Sequence, residues 1–258
     1  MTQPTLLILI DGMRPDGLQQ AHTPAIDALM DAGAWTMSAT TVMPSITLPC
    51  ITSLFQGTPP QEHGVTTNLF SPASVQASLF EVVAQAGLKA ASFYNWEQLR
   101  DLSRPGALHA GIHLNNSHDP AGGGDTALTR LAIDTLREDP VDFAFLYLGY
   151  TDVAGHEVGW MSSAYIEAIE NADRCIDALT RSFPDWSLIV TADHGGHGTG
   201  HGTESAEDMT IPIVLRPNHG AAPQGQLTGP ASILDIAPTV AAWLDVTPPA
   251  HWSGHPLG

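Results

Sequence analysis

The stretch Phe143-Ala144-Phe145-Leu146-Tyr147-Leu148-Gly149-Tyr150-Thr151-Asp152-Val153-Ala154-Gly155-His156 decides the architecture. Six apolar residues in a row, too few for a helix of ordinary length, read as a strand buried on both faces. Directly after them come an acid and a histidine at i and i+4, a spacing that puts both on one face of a helical turn. Thr5–Ile10 and Ser187–Thr191 repeat the pattern: each is an apolar run, followed by Asp11 in the first case and by Asp193-His194 in the second. Residues 88–93 and 211–215 are two further candidate strands. Residues 23–32, 78–86, 125–137, 162–181 and 232–244 show helical spacing, with Thr23-Pro24 suited to a helix start and Gly33 and Gly87 to helix ends. Alternating strands and helices imply an α/β fold, a mostly parallel central sheet with helices on both faces. No linker divides the chain, so residues 1–258 read as a single domain, with an irregular insertion at about 96–124 ending in Gly122-Gly123-Gly124.

Composition narrows the function. Nine Lys+Arg against 27 Asp+Glu give a net charge of −18, and Lys89 is the only lysine. Such a surface repels nucleic acid and anionic lipid. If the protein acts on an anion, a bound metal is the obvious source of positive charge. The longest aliphatic run, Leu6 to Ile10, is far short of the roughly 20 residues of a membrane span. Two cysteines, Cys50 and Cys175, make neither a disulfide framework nor a thiolate zinc site. The start of the chain shows no basic, signal-like segment, so a cytoplasmic location is expected.

In a parallel sheet, ligands gather at the carboxyl ends of strands. Asp11, Asp152, His156, Asp193 and His194 follow three such ends. His201 comes seven residues after His194, in a glycine-rich stretch able to bend around a site, where His197 is its nearest competitor. Taken singly, an acid after a strand is usually a cap or turn residue and a histidine in a glycine loop is usually surface. Together they suit a divalent metal with oxygen and nitrogen ligands. For a nucleophile, Ser45-Ile46-Thr47-Leu48-Pro49-Cys50 precedes a helical stretch, and Ser45, Thr47 and Cys50 are all candidates. On that stretch alone the ordinary reading is a Ser or Thr helix cap.

These motifs, in this order, resemble the alkaline phosphatase superfamily, and most closely its nucleotide pyrophosphatase/phosphodiesterase branch. The resemblance runs through Ile8-Leu9-Ile10-Asp11-Gly12, Pro44 to Pro49, Gly57, His63-Gly64-Val65 and Asn68. It continues through Asp152 to His156, Thr191 to Gly196, His201-Gly202-Thr203, Asp208 to Pro212 and Asp235 to Thr239. It implies an alkaline-phosphatase-like fold and two divalent metal ions, most suitably Zn²⁺. One would be held by Asp152, His156 and His201. The other would be held by Asp11, Asp193 and His194 together with the oxygen of Thr47. Thr47 would be the nucleophile, forming a phospho-threonine intermediate, and the amide of Asn68 would contact a phosphoryl oxygen. The implied substrate is a small phosphate ester, a diester or nucleotide. The alternatives are a metal-dependent phosphomonoesterase of the same superfamily and a catalytically silent metal-binding protein.

Related chemistries fit less well. Leu48, not arginine, follows Thr47, against the monoesterase pattern. Cys50 lacks the sulfatase Cys-x-Pro-x-Arg context and reads as a small buried residue. A single lysine disfavours phosphonoacetate hydrolysis, and the cofactor-independent mutases use a serine nucleophile and an extra domain. Trp96, Tyr150 and Trp160 are available to stack on a base, and each serves equally as a packing residue.

Overall fold

The computed structural model describes residues 3–69, 76–218 and 224–257. In chain order the elements are β1 (Thr5–Ile10), α1 (Pro15–Gln20), α2 (Pro24–Ala32), β2 (Ala34–Thr40), α3 (Thr47–Gln56), α4 (Pro60–His63), α5 (Leu79–Gln85), β3 (Ala90–Tyr94), β4 (Ala110–His113) and α6 (Gly123–Glu138). They continue with β5 (Phe143–Leu148), α7 (Tyr150–Val158), α8 (Ser163–Ser182), β6 (Ser187–Thr191), α9 (Ala206–Met209), β7 (Thr210–Arg216), β8 (Gly225–Gln226) and α10 (Ile236–Trp243).

One sheet holds these strands in the order β4-β3-β5-β1-β6-β7-β2-β8. The apolar runs β5, β1 and β6 lie side by side and parallel, with Leu9 opposite Tyr147 on one side and Thr191 on the other. Their residues are buried throughout, as continuous apolar strands require. β3 and β4 extend the parallel set, whereas β7 runs antiparallel to both β6 and β2. The sheet is therefore mostly parallel, as its sequence implies.

Helices cover both faces. α1, α2, α6 and α7 pack around α8 on one face, while α4, α5 and α10 pack around α3 on the other. On the α3 face Phe55 and Phe80 stack at 4.6 Å, and Phe145 meets Phe55 edge-on at 4.8 Å. Each such pair adds about 0.5–1.5 kcal/mol beyond burial alone.

Several elements depart from the expected ones. β2 has no counterpart among the expected strands, because its sequence alternates with small residues and carries an irregularity between Thr36 and Ala39. The 96–124 stretch is more ordered than its glycines suggest, since it contributes β4 to the edge of the sheet. Residues 232–244 form a short 3-10 turn, Ile233–Asp235, before α10. Thr23 stands at the start of α2 but its side chain makes no cap bond. Asp173 of α8 does that work from another helix, accepting from Ile26 N at 2.8 Å and Ala25 N at 3.3 Å. Among the described residues no helix is long and apolar enough to cross a membrane.

Candidate active site

Asp11 directly follows β1, Asp152 and His156 lie on α7 just after β5, and Asp193 and His194 follow β6. The parallel register therefore brings three chain segments to one edge, and the glycine loop after β6 swings His201 in beside them. Asp11, Asp193 and His194 are almost completely buried, at 2%, 0% and 0% exposure. His156 is half-exposed.

The three histidines share one arrangement. Nδ1 of His194 faces Gly195 O at 2.8 Å, Nδ1 of His201 faces Ser45 O at 2.8 Å, and Nδ1 of His156 faces Thr199 O at 2.9 Å. A carbonyl only accepts, so each Nδ1 is the donor and each Nε2 is turned toward the cluster. Those Nε2 atoms point at carboxylates. His194 Nε2 lies 3.4 Å from both Asp11 Oδ1 and Asp193 Oδ2. His156 Nε2 lies 3.5 Å from Asp152 Oδ2, and His201 Nε2 lies 3.7 Å from Asp152 Oδ1. Two tetrahedral ligands at zinc-like distances stand about 3.4 Å apart, so these gaps suit atoms that share a cation rather than a proton.

The carboxylates carry the same message. Asp11 Oδ1, Asp152 Oδ1 and Asp193 Oδ2 are buried with no hydrogen-bond partner, whereas Asp193 Oδ1 is occupied by Gly12 N at 3.2 Å and His194 N at 3.0 Å. Burial, then the charges of Asp193 and Asp152, pushes the Asp11 carboxyl well above the ordinary range. Burial also raises Asp152 and, with His194 nearby, lowers His201 to about 3. Raised carboxyls at Asp11 and Asp152 beside a lowered imidazole at His201 form a donor set that a divalent cation satisfies. Asp152 joins two groupings, one with His156 and His201 and one with Asp11 and His194.

Thr47 is the first residue of α3, with Ile46 at the cap position and no side-chain cap bond. Neither Ser45 nor Thr47 is the ordinary helix cap that the stretch alone suggests: Ser45 Oγ donates to Thr203 O, while Thr47 Oγ1 stands 3.1 Å from His194 Nε2. Asn68 Oδ1 accepts Leu48 N–H at 2.8 Å, which turns its amide group toward the same space. Pro49 has no N–H, so Thr47 N–H is the group the first turn of α3 has left to offer. Cys50 is fully buried against Val42 O and Pro44 O, and burial raises its thiol far beyond the neutral range. It is a core residue.

A cleft of about 170 Å³ opens over this cluster. Besides Asp11, Thr47, Asn68, Asp152, His156 and His201, its walls include Trp96, Ser117, His118, Tyr147, Val153 and Glu157, and among the described residues none that lines it is Lys or Arg. Of the three aromatic candidates only Trp96 reaches the cleft. Trp160 lies beneath it, donating Nε1–H to Gly12 O at 2.9 Å and meeting the His156 ring edge-on at 5.1 Å. Its ring is clasped by Gly155 and Gly196, where any Cβ would fall 2.6 and 2.3 Å from it. His197 turns away to pair with Asp208 Oδ1 at 2.7 Å, so the structure brings His201, not His197, to the cluster.

Tyr147 escaped the sequence reading. Its hydroxyl donates to Asp11 Oδ2, leaving Oδ1 toward His194. No local pattern marks that pairing, since the two residues stand 136 apart in sequence.

Residues 5–209 match the family model for type I phosphodiesterase / nucleotide pyrophosphatase. Mouse ectonucleotide pyrophosphatase/phosphodiesterase family member 7 is 26% identical over 223 residues, covering 74% of this chain and 49% of the relative. The chain thus spans about half the length of that relative. Among solved structures, murine ectonucleotide pyrophosphatase/phosphodiesterase 5, an inactive threonine-to-alanine variant in complex with AMP, superposes with a TM-score of 0.77 at 16% identity, covering 96% of each chain. A 2-O GAG sulfatase does so at 0.77 and 15%, covering 100% of this chain and 73% of the other. The chain belongs to the type I phosphodiesterase / nucleotide pyrophosphatase family, within the alkaline phosphatase superfamily.

Proposed function

We propose that the chain is a two-metal phosphodiesterase or nucleotide pyrophosphatase-type hydrolase that works through a covalent phospho-threonine at Thr47. One observation carries the reading: three outward-turned Nε2 atoms and three partnerless carboxylate oxygens converge beside a threonine hydroxyl. Asp152, His156 and His201 would hold one cation, and Asp11, Asp193 and His194 the other. Three imidazoles among six ligands favour zinc. Bound there, the cations would lower the pKa of a coordinated oxygen and neutralise charge on the transferring phosphoryl group.

The chain's own groups do the rest. Thr47 Oγ1 loses its proton to solvent and attacks phosphorus, forming an O–P bond as the bond to the departing alcohol oxygen breaks and that oxygen takes a proton. Water then cleaves the Thr47–phosphorus bond and restores the hydroxyl. The Asn68 amide, fixed by Leu48 N–H, and the Thr47 N–H stand ready to hold a phosphoryl oxygen. Loss of activity in a murine relative's threonine-to-alanine variant supports the choice of nucleophile.

A cleft lined, among the described residues, without Lys or Arg favours the singly charged diester over a dianionic monoester. With zinc bound, kcat/KM for bis-p-nitrophenyl phosphate is expected to exceed that for p-nitrophenyl phosphate by about tenfold or more, roughly 1.4 kcal/mol of transition-state binding. Thr47→Ala should abolish both activities. A preference for the monoester overturns the diesterase assignment.

A further inference from the structure

We propose that Asp125 is a positioning residue for the α7 half of the site, setting where Asp152 and His156 stand by docking onto the first turn of α7. The inference rests on the two-metal reading above. Asp125 lies in the first turn of α6 and is 1% exposed. It does not line the cleft. Its Oδ1 accepts from Asn95 Nδ2 at 2.7 Å and from Gly149 N at 3.1 Å, and its Oδ2 accepts from Tyr150 N at 3.2 Å.

Gly149 and Tyr150 begin α7, so the carboxylate takes up helix N–H groups that have no partner within the helix itself. Asp152 follows two residues later and His156 one turn beyond. Asn95, itself 1% exposed at the end of β3, completes the clamp from the sheet. The approach is close: a Cβ on residue 149 would stand 2.9 Å from Asn95 Oδ1. Among the described residues Asp125 has no salt bridge, so only neutral donors and the positive end of α7 offset the burial of its charge. Burial pushes its carboxyl up to about 6, which still leaves it ionised at neutral pH.

Asp173 separates a positioning role from plain structural support. It clamps the start of α2 in the same way, also from another helix, but α2 carries no site residue. Asp125→Asn and Asp173→Asn should both lower Tm. Zinc affinity, measured on the full chain by competition with a chromophoric chelator, should divide them. Asp125→Asn is expected to weaken one of the two zinc equivalents by about tenfold or more, with Asp173→Asn within about twofold of wild type for both. Asn95→Ala, which removes one donor to the same carboxylate, should shift the same equivalent by less, and serves if Asp125→Asn does not fold.

Retention of both zinc ions by Asp125→Asn at wild-type affinity overturns the proposal, as does equal weakening by Asp173→Asn. If Asp125→Asn does not fold, wild-type affinity in Asn95→Ala overturns it. A wild-type chain that binds no zinc would overturn the two-metal reading and this inference with it, a result distinguishable from either.

Discussion

The two halves of the cluster are built differently. Asp11, Asp193 and His194 stand directly on the ends of central parallel strands and are sealed from solvent. Asp152, His156 and His201 hang on a nine-residue helix and a glycine loop, with the His156 side chain 45% exposed. The first half inherits its rigidity from the sheet. The second depends on ties made elsewhere: His156 to Thr199 O, His201 to Ser45 O, and Asp208 holding Thr203 through its backbone N and its hydroxyl. Strand ends thus place their side chains with few distant ties, the Tyr147 hydroxyl on Asp11 among them, whereas a helix and a loop rely on several.

The comparison can be broken in several ways. Thr47→Ala should have the largest effect, a fall in kcat of about a thousandfold or more, with zinc content unchanged because six other ligands remain. Loss of zinc from that variant would show that the hydroxyl belongs to the buried half as a ligand first. Next comes chelation: the exposed half should release its zinc first, with an affinity ratio of about tenfold or more. A single release step for both ions would erase the distinction.

Acid sharpens the contrast from outside either half. His63 is 7% exposed, accepts Val65 N–H on Nδ1, and so donates Nε2–H to Ser53 Oγ. Burial lowers it to about 4. Because its folded pKa lies below the ordinary 6.5, it contributes stability that is full above that value and lost as pH falls toward 4. The slope is up to about 1.4 kcal/mol per pH unit. Urea unfolding against pH should show this limb, and His63→Gln should flatten it.

Gly155→Ala should cost about 1–2 kcal/mol, because crowding of the Trp160 ring outweighs the gain in helix propensity. Calorimetry would show it as a lowered Tm, and unchanged stability would mean that the ring can move. The smallest effect belongs to Arg100→Gln. Arg100 is tied to Glu97 and Asp101 away from the cleft, so the ratio of diester to monoester kcat/KM should change by less than about twofold. A larger change would bring a guanidinium into substrate binding.

Legibility in the sequence followed the same division. β1, β5 and β6 were readable because fully buried parallel strands are unbroken apolar runs, and the acids at their ends stand out against them. Asp152 and His156 were readable through helical spacing. β2 and β4 were not, since alternation with small residues and a four-residue length leave no distinctive pattern. The supports were hidden for another reason. Asp125 meets Gly149 and Tyr150 across 24 and 25 residues, and Tyr147 meets Asp11 across 136, and nothing local to either partner marks such a pairing. Thr47 was ambiguous because a hydroxyl ahead of a helix looks the same whether it caps the helix or faces a cleft.

Trp160 stands where the halves meet. Its indole N–H is bonded to Gly12, next to Asp11, while its ring edges touch His156 and His201. The chain therefore carries a native fluorophore packed against the candidate site. A change in the emission of that indole would time the filling of the site from within, without a label.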